Sequence, residues 1–393
     1  MSSTDNVIVG RHYQTLSPIR MELKNGRVSS VVPAAITAAE APTLPIIGPG
    51  LFDLQVNGFH GIWFSSDTLT VDDVETVIHA YLQHGITRCL PTLITNSFGA
   101  IEHGLATLEK ARERSATVRN VVTGYHIEGP FISPVDGPRG AHPLAHIRPP
   151  DLAEFQRWQK VAGGQIRLVT LAPEVPGAIP FIRSVSQSCL VAIGHSAAGT
   201  QQIVEAIDAG ARLGTHLGNG CAGMIPRHDN VFWPQLADDR LACSVIADGW
   251  HVPDAMLQCL VRCKSMERTI VTCDVSGFGG CMAGRYTSGH VSVDVLEDGR
   301  IVVAGQTQFL AGSGVTTGDC VAHLMNTCRV TLTDALQSAS IRPARLVGIT
   351  EPSLDAGRPA FLTIFRLDTR ADGRIRFVPI RAICGETCSR AAG

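Results

Sequence analysis

Four residues in this chain stand where metal and acid–base chemistry can meet. Glu128, His195, His216 and Asp274 each lie at the end of a short apolar run. A Glu with two His suits a catalytic divalent metal, because three protein ligands leave a position for water. Such an ion lowers the pKa of that water to about 7 and makes a nucleophile at neutral pH. Asp274 is then free to take the water proton and pass it to a leaving group. His142, in Gly140-Ala141-His142-Pro143, follows the Glu128 run on a loop from which it can hydrogen-bond a substrate carbonyl as charge builds there. Gln55 and Asn57 close the first run.

Each residue taken singly also has a structural reading. A lone His is more often a hydrogen-bonded packing residue than a ligand, and Glu128 beside Gly129-Pro130 could cap or pair. Their recurrence at successive run ends favours a shared site. His126 falls on the same side of its strand as Glu128. It is read as an interior residue or a partner of the ligands rather than a fourth ligand. His12, His79, His84 and His103 lie away from run ends and read as surface or packing residues.

The elements that must position these residues alternate. Eight β-rich runs, at 50–56, 88–93, 121–127, 166–172, 190–194, 213–217, 243–247 and 270–273, are separated by helical patterns such as 71–84, 98–115 and 200–209. Strands alternating with helices imply a parallel sheet, and eight repeats imply an α/β, TIM-like (β/α)8 barrel whose active site lies at the strand C-termini. A doubly wound sheet is the runner-up, but no GxGxxG turn follows the first run. Helices are expected at 319–328 and 333–340, with Arg342-Pro343 ending the second. The chain ends differ from this pattern. Residues 18–33 read as a hairpin turning at Asn25-Gly26, and residues 361–378 as another turning at Asp372-Gly373. Neither is large enough to fold alone. The expected division is therefore 1–48 and 351–393 as two parts of a small β-sandwich, and 49–350 as the barrel.

Composition excludes several classes. The 393 residues are 45% hydrophobic and 17% charged, with a net charge of −2. A core can form, and there is no basic stripe for nucleic acid or an anionic membrane. No apolar run spans a bilayer, and the polar start, Met1 to Arg11, lacks a signal-peptide core, so a cytoplasmic location is expected. The twelve cysteines include no CxxC pair and read as buried, reduced thiols.

Seven stretches together resemble the N-acetylglucosamine-6-phosphate deacetylase branch of the amidohydrolases. They are PGLFDLQVNG at 49–58, HIEGPFISP at 126–134 with GAHP at 140–143, GHSAA at 194–198, THLGNG at 215–220, ADGWHVP at 247–253, VTCD at 271–274 and LAGS at 310–313. The resemblance implies Glu128, His195 and His216 as metal ligands, Asp274 as acid/base, and His142 as the contact to the acetamide carbonyl. Many amidohydrolases bind a second metal through His-x-His after strand one; Gln55 and Asn57 stand there here, and neutral amides are poor ligands for a transition metal. One divalent metal per subunit is expected, zinc first and iron(II) second. The resemblance further implies Arg227 and His251, with Asn219 and Gly220, as contacts to a sugar phosphate, and a homodimer in which Arg227 reaches the partner's site. A solvated loop cation is the other reading of Arg227.

The chain departs from the branch at Gly218-Asn219-Gly220-Cys221-Ala222-Gly223-Met224 and is glycine-heavier at 275–280. These glycines are expected to loosen the loop and remove side-chain contacts, which opens the identity of the acyl amine. Another N-acyl amino sugar or an N-acyl amino acid remains an alternative substrate. A cyclic amidase with a carboxylated Lys is disfavoured, since Lys24, Lys110, Lys160 and Lys264 all lie away from strand ends and strand four ends in Leu171-Ala172-Pro173-Glu174. A non-catalytic descendant is disfavoured because all four central residues are kept. Trp250 is expected to pack rather than stack on a sugar.

Overall fold

The computed structural model describes residues 7–288, 291–306 and 310–390. The first six and last three residues assigned above to the chain-end domain lie outside that range. Eight parallel strands follow one another in chain order: Leu51–Val56, Ile86–Ile94, Tyr125–Glu128, Ile166–Leu171, Leu190–Ile193, Leu213–Gly214, Ala242–Ile246 and Thr269–Thr272. The last returns to the first through a parallel bridge between Val56 and Val275, and the Asn57 N–H donates to the Val275 carbonyl at 3.0 Å. That seam closes the barrel.

The strands are buried on both faces; all six residues of Leu51–Val56 are inaccessible. This is why they read as apolar runs rather than as alternating patterns. The helices announce themselves by caps. Val71–Gln83 starts at a Thr70/Asp73 capping box and buries Val74, Val77, Ile78 and Tyr81. Phe98–Arg114 starts at Ser97, and Arg112 and Arg114 sit in its last turn, where the helix dipole favours cations.

The barrel interior is layered with the period of two that strands impose. Phe52, Leu54, Leu90, Leu168, Ala192, Leu213 and Ile270, from six strands, form one apolar cluster closed by Ala344 and Val347. Two residues further along three of those strands stand Thr92, Thr170 and Thr215. With His126 they form a hydrogen-bonded layer: His126 contacts Thr92 (3.3 Å) and Thr170 (2.8 Å), and Thr170 contacts Thr215 (2.7 Å). Glu128 lies two residues above His126, so the polarity of the interior rises toward the strand C-termini. Burial first, then competition with His216 and His195, pulls the His126 pKa down to about 4 against the pull of Glu128.

Several expectations need correction. The third strand starts at Tyr125 rather than Val121, because Ser115 caps a helix over Ala116–Val121 by accepting from the Val118 N–H. Arg342-Pro343 does not merely end a helix. It lies in the first turn of Ile341–Leu346, where the missing proline N–H is harmless. An antiparallel sheet of Gly284–Ser288, Val291–Val295 and Ile301–Val303 follows the eighth strand and was not anticipated.

The chain ends pair as expected, but in one continuous seven-stranded ladder. Its order is Thr387–Arg390, Ile375–Cys384, Phe361–Thr369, Ile46–Pro49, Val7–His12, Pro18–Lys24 and Arg27–Pro33. Asn25 and Gly26 both take positive φ, as a two-residue hairpin turn requires. No helix among the described residues is long and apolar enough to cross a membrane.

Candidate metal centre and active site

Three candidate ligand atoms converge at the C-terminal mouth of the barrel. Glu128 Oε1 lies 3.2 Å from His195 Nε2 and 3.0 Å from His216 Nε2, and the two imidazole nitrogens are 3.1 Å apart. Atoms about 2.0–2.1 Å from a tetrahedral metal stand roughly 3.3–3.4 Å from one another, so this trio fits a small divalent ion. His195 supports that use. Its Nδ1 faces the Pro138 carbonyl at 2.9 Å and must donate to it, which leaves Nε2 a lone pair for a metal in the neutral ring and a proton for Glu128 in the charged one. His216 is held by its backbone, whose N–H donates to Ser244 Oγ at 2.7 Å; its Nδ1 is buried with no partner among the described residues.

The carboxylate is buried among donors. Burial opposes ionisation of Glu128, but hydrogen bonds and charge from His195 and His216 hold its carboxyl well below the usual range. The reciprocal effect appears at His216. Burial disfavours its charged form, yet Glu128 outweighs burial and raises its pKa. Gln55 Nε2 adds a donor to Glu128 Oε1 at 2.8 Å.

His142 packs edge-on against His195, with ring centroids 4.2 Å apart, and its Nδ1 contacts Thr95 Oγ1 at 2.8 Å. One ligand atom each from Glu128, His142 and His195 lies within 4.8 Å of the others. That set is looser than the trio with His216, and the tighter trio is the better ion site. Burial first, then the His195 charge, lowers the His142 pKa to about 3, so its ring is neutral at physiological pH.

Asp274 sits across the seam. Its Oδ1 accepts from Asn57 Nδ2 at 2.8 Å. Burial, then the Glu128 charge, raises its pKa to about 7; a cation at the Glu128 cluster acts in the opposite direction. His195 (φ 51°), His216 (φ 32°) and Asp274 (φ 48°) all occupy left-handed backbone. Non-glycine residues in that region are uncommon and concentrate at functional sites.

The outer residues are placed less uniformly. His251 Nδ1 bonds Asp248 Oδ2 at 2.6 Å, which leaves Nε2 as its free nitrogen, and its charge acts on Asp274. Asn219 turns back on His216 through its N–H, 2.9 Å from the His216 carbonyl. The glycines of this loop correct an expectation. Gly218 (φ +112°) and Gly220 (φ +57°) are demanded by the backbone, and a Cβ on Gly220 would stand 3.0 Å from His195 Nδ1. Gly220 permits close packing against His195, and Gly218 against Val252 and Met256, rather than merely loosening the loop; of the three, only Gly223 faces open space. Arg227 is exposed, and its guanidinium makes no hydrogen bond or ion pair among the described residues. No hydrogen bond or ion pair among the described residues brings it to the Glu128 cluster. Trp250 is 47% exposed and lies under Arg300, whose guanidinium carbon is 4.6 Å from the ring centroid, so it is not buried packing.

Three contributors were not singled out from the sequence: Thr95, Asp248 and Asp53. Asp248 stood inside a quoted motif, and its spacing of three from His251 was a usable signal. Asp53 likewise lies inside PGLFDLQVNG, an acidic residue in an apolar run, whereas Thr95 offered no signal. Lys264 is buried, donating to the Gln235 and Asp238 carbonyls, and no lysine joins the site. Glu174, at the end of strand four, instead accepts from Ser196 Oγ and the Ala197 N–H and fixes the loop after His195. A groove of about 650 Å³ lies at the opposite end of the barrel, at Arg167, Leu190, Ala242 and Ile270, where strands begin. Its arginines are engaged by carboxylates or backbone carbonyls, as Arg212 is by Ile207 and Ala211.

Comparison with known proteins places the chain in a family. Residues 46–388 match the amidohydrolase family. The chain is 34% identical over 330 residues to an N-acetylglucosamine-6-phosphate deacetylase of Bos taurus, covering 80% of this chain and 78% of that protein. It is 31% identical over 332 residues to an N-acetylgalactosamine-6-phosphate deacetylase of Escherichia coli O157:H7, covering 84% and 85%. Among solved structures it resembles a variant N-acetyl-D-glucosamine-6-phosphate deacetylase of Mycobacterium smegmatis in complex with N-acetyl-D-glucosamine-6-phosphate. The TM-score is 0.83 at 27% identity, covering 97% of this chain and 99% of that one.

Proposed function

The chain belongs to the amidohydrolase family, in its N-acetylglucosamine-6-phosphate deacetylase branch, and from that premise we propose how it works. It hydrolyses the acetamide of N-acetylglucosamine-6-phosphate to glucosamine-6-phosphate and acetate, a step of amino-sugar catabolism. The observation that carries the reading is the convergence of Glu128, His195 and His216 within 3.0–3.2 Å beside Asp274 on the closing seam.

Glu128, His195 and His216 would hold one divalent metal, zinc by preference for a three-ligand Glu/His/His set, with iron(II) as the second choice. When bound, the ion supplies Lewis-acid activation of water and of the amide carbonyl. One ion suffices, since Gln55 and Asn57 direct their amide N–H groups at Glu128 and Asp274, and the amide oxygens left over, the partnerless Asn57 Oδ1 among them, are poor ligands for a transition metal. Asp274 takes the proton of the attacking water and delivers it to the departing amine nitrogen. The neutral His142 tautomer that accepts from Thr95 Oγ1 at Nδ1 and carries its proton on Nε2 is the one that can hydrogen-bond the acyl oxygen as charge develops there.

His251 Nε2, Asn219 and the backbone at Gly220 hold the sugar phosphate, and Arg227 completes that clamp in the partner of a homodimer. Support for the dimer is the loop itself: Met224 is 94% exposed beside the unpaired Arg227. The twelve free cysteines suit the reducing cytoplasm, where we place the enzyme.

The galactose epimer is the second reading, favoured by the E. coli relative. Acetate release from N-acetylglucosamine-6-phosphate, N-acetylgalactosamine-6-phosphate and unphosphorylated N-acetylglucosamine tests all of this. Preference for the first is expected. Preference for the second moves the assignment to the epimer, and equal rates with and without phosphate overturn the phosphate clamp.

A further inference from the structure

We propose that Asp53 and Asn57, on the first barrel strand and just beyond it, are positioning residues that clamp Asp274 in its left-handed conformation. The proposal rests on Asp274 being the acid/base. A non-glycine residue at φ 48° persists only where its surroundings over-determine it. Here the chain is gripped on each side. The N–H of Cys273, just before Asp274, donates to Asp53 Oδ2 at 2.9 Å. The Asp274 carboxylate accepts from Asn57 Nδ2 at 2.8 Å, and the Asp274 carbonyl from the Ser313 N–H at 3.0 Å. The carbonyl of Val275, just after, accepts from Asn57 twice, from N at 3.0 Å and Nδ2 at 3.2 Å.

The residue types are those the clamp requires. Asp53 is fully buried, and its two oxygens are met by four donors rather than by a cation. The Gln55 N–H (3.0 Å) and Thr272 Oγ1 reach Oδ1; the Cys273 N–H and Thr317 Oγ1 (2.6 Å) reach Oδ2. Four converging donors need a group that only accepts. An amide in its place would turn N–H groups against them. Asn57 faces the reverse demand: two acceptors, a carboxylate and a carbonyl, need an NH2. A carboxylate at 57 would oppose Asp274 with like charge. The two residues therefore join strand one, strand eight and the helix Thr317–Cys328 around the one side chain that must hold the travelling proton.

The test is kinetic. Asp53→Asn and Asn57→Ala are loaded with zinc and assayed for kcat, KM, bound metal and Tm. Misplacing a catalytic group by about 1 Å costs roughly 100-fold, so kcat per metal-loaded site should fall about 10- to 100-fold while KM and metal content hold. Unchanged kcat with a lowered Tm would show a purely structural role and overturn the clamp. Should Asp53→Asn fail to fold, Thr272→Val removes one of its donors but spares the Cys273 N–H, and is read in the same way. Asp274→Asn is assayed alongside. If that variant is active, the reading of Asp274 itself falls. If it is dead while the others match wild type, only the clamp falls.

Discussion

Gln55 donates to the oxygen of Glu128 that faces both histidines: Nε2 is 2.8 Å from Oε1, which lies 3.2 Å from His195 Nε2 and 3.0 Å from His216 Nε2. The Gln55 amide thus orients the carboxylate proposed as a metal ligand. Loss of such a supporting hydrogen bond typically weakens metal binding about 10- to 100-fold. Gln55→Leu should show that loss in a zinc competition titration against a chelator. Wild-type affinity would mean that the contact does not orient Glu128.

Asp274→Asn removes the proposed proton carrier but none of the three proposed ligand atoms. Its kcat should fall by about 100- to 10,000-fold, the span of general acid–base catalysis. Metal content, measured by elemental analysis, should stay at the wild-type level. Turnover near wild type would remove Asp274 from the reaction.

Gly220→Ala places a Cβ 3.0 Å from His195 Nδ1, at a φ of +57° that alanine resists. The nitrogen it meets is the one that donates to Pro138 and fixes the His195 tautomer. Strain of this kind costs about 1–3 kcal/mol. A lowered Tm together with weaker zinc binding is expected; a lower Tm with unchanged zinc affinity would uncouple the loop from the site.

Arg227→Ala tests the phosphate clamp. A hydrogen bond to a charged group is worth about 1.5–3 kcal/mol, or roughly 10- to 150-fold. KM for the phosphorylated sugar should rise by that factor, and the slow rate with the unphosphorylated sugar should not change. Equal effects on both substrates would assign Arg227 to the fold or the dimer instead.

The barrel was legible because its strands are buried on both faces and its helices carry caps, so local composition tracks local structure. Glu128, His195, His216 and Asp274 were legible because they end such strands. The boundary at Val121 was missed because a six-residue helix capped by Ser115 precedes the strand with the same apolar composition. Gly218 and Gly220 were read as slack because the side chains they pack against, Val252 and Met256 for Gly218 and His195 for Gly220, lie outside the loop in sequence. The role of Asp53, though it stands in the motif at 49–58, was hidden for a similar reason: three of its four donors come from Thr272, Cys273 and Thr317, more than 200 residues away. A buried carboxylate satisfied by dipoles leaves no charged partner to read.

The central claim is that one metal at Glu128, His195 and His216 supports deacetylation of an amino-sugar phosphate. The most direct test strips the protein of metal, titrates zinc back, and follows acetate release from N-acetylglucosamine-6-phosphate. The account predicts that activity rises linearly and stops at one equivalent per subunit. Saturation only at two equivalents, or no acetate at any zinc level, would contradict it.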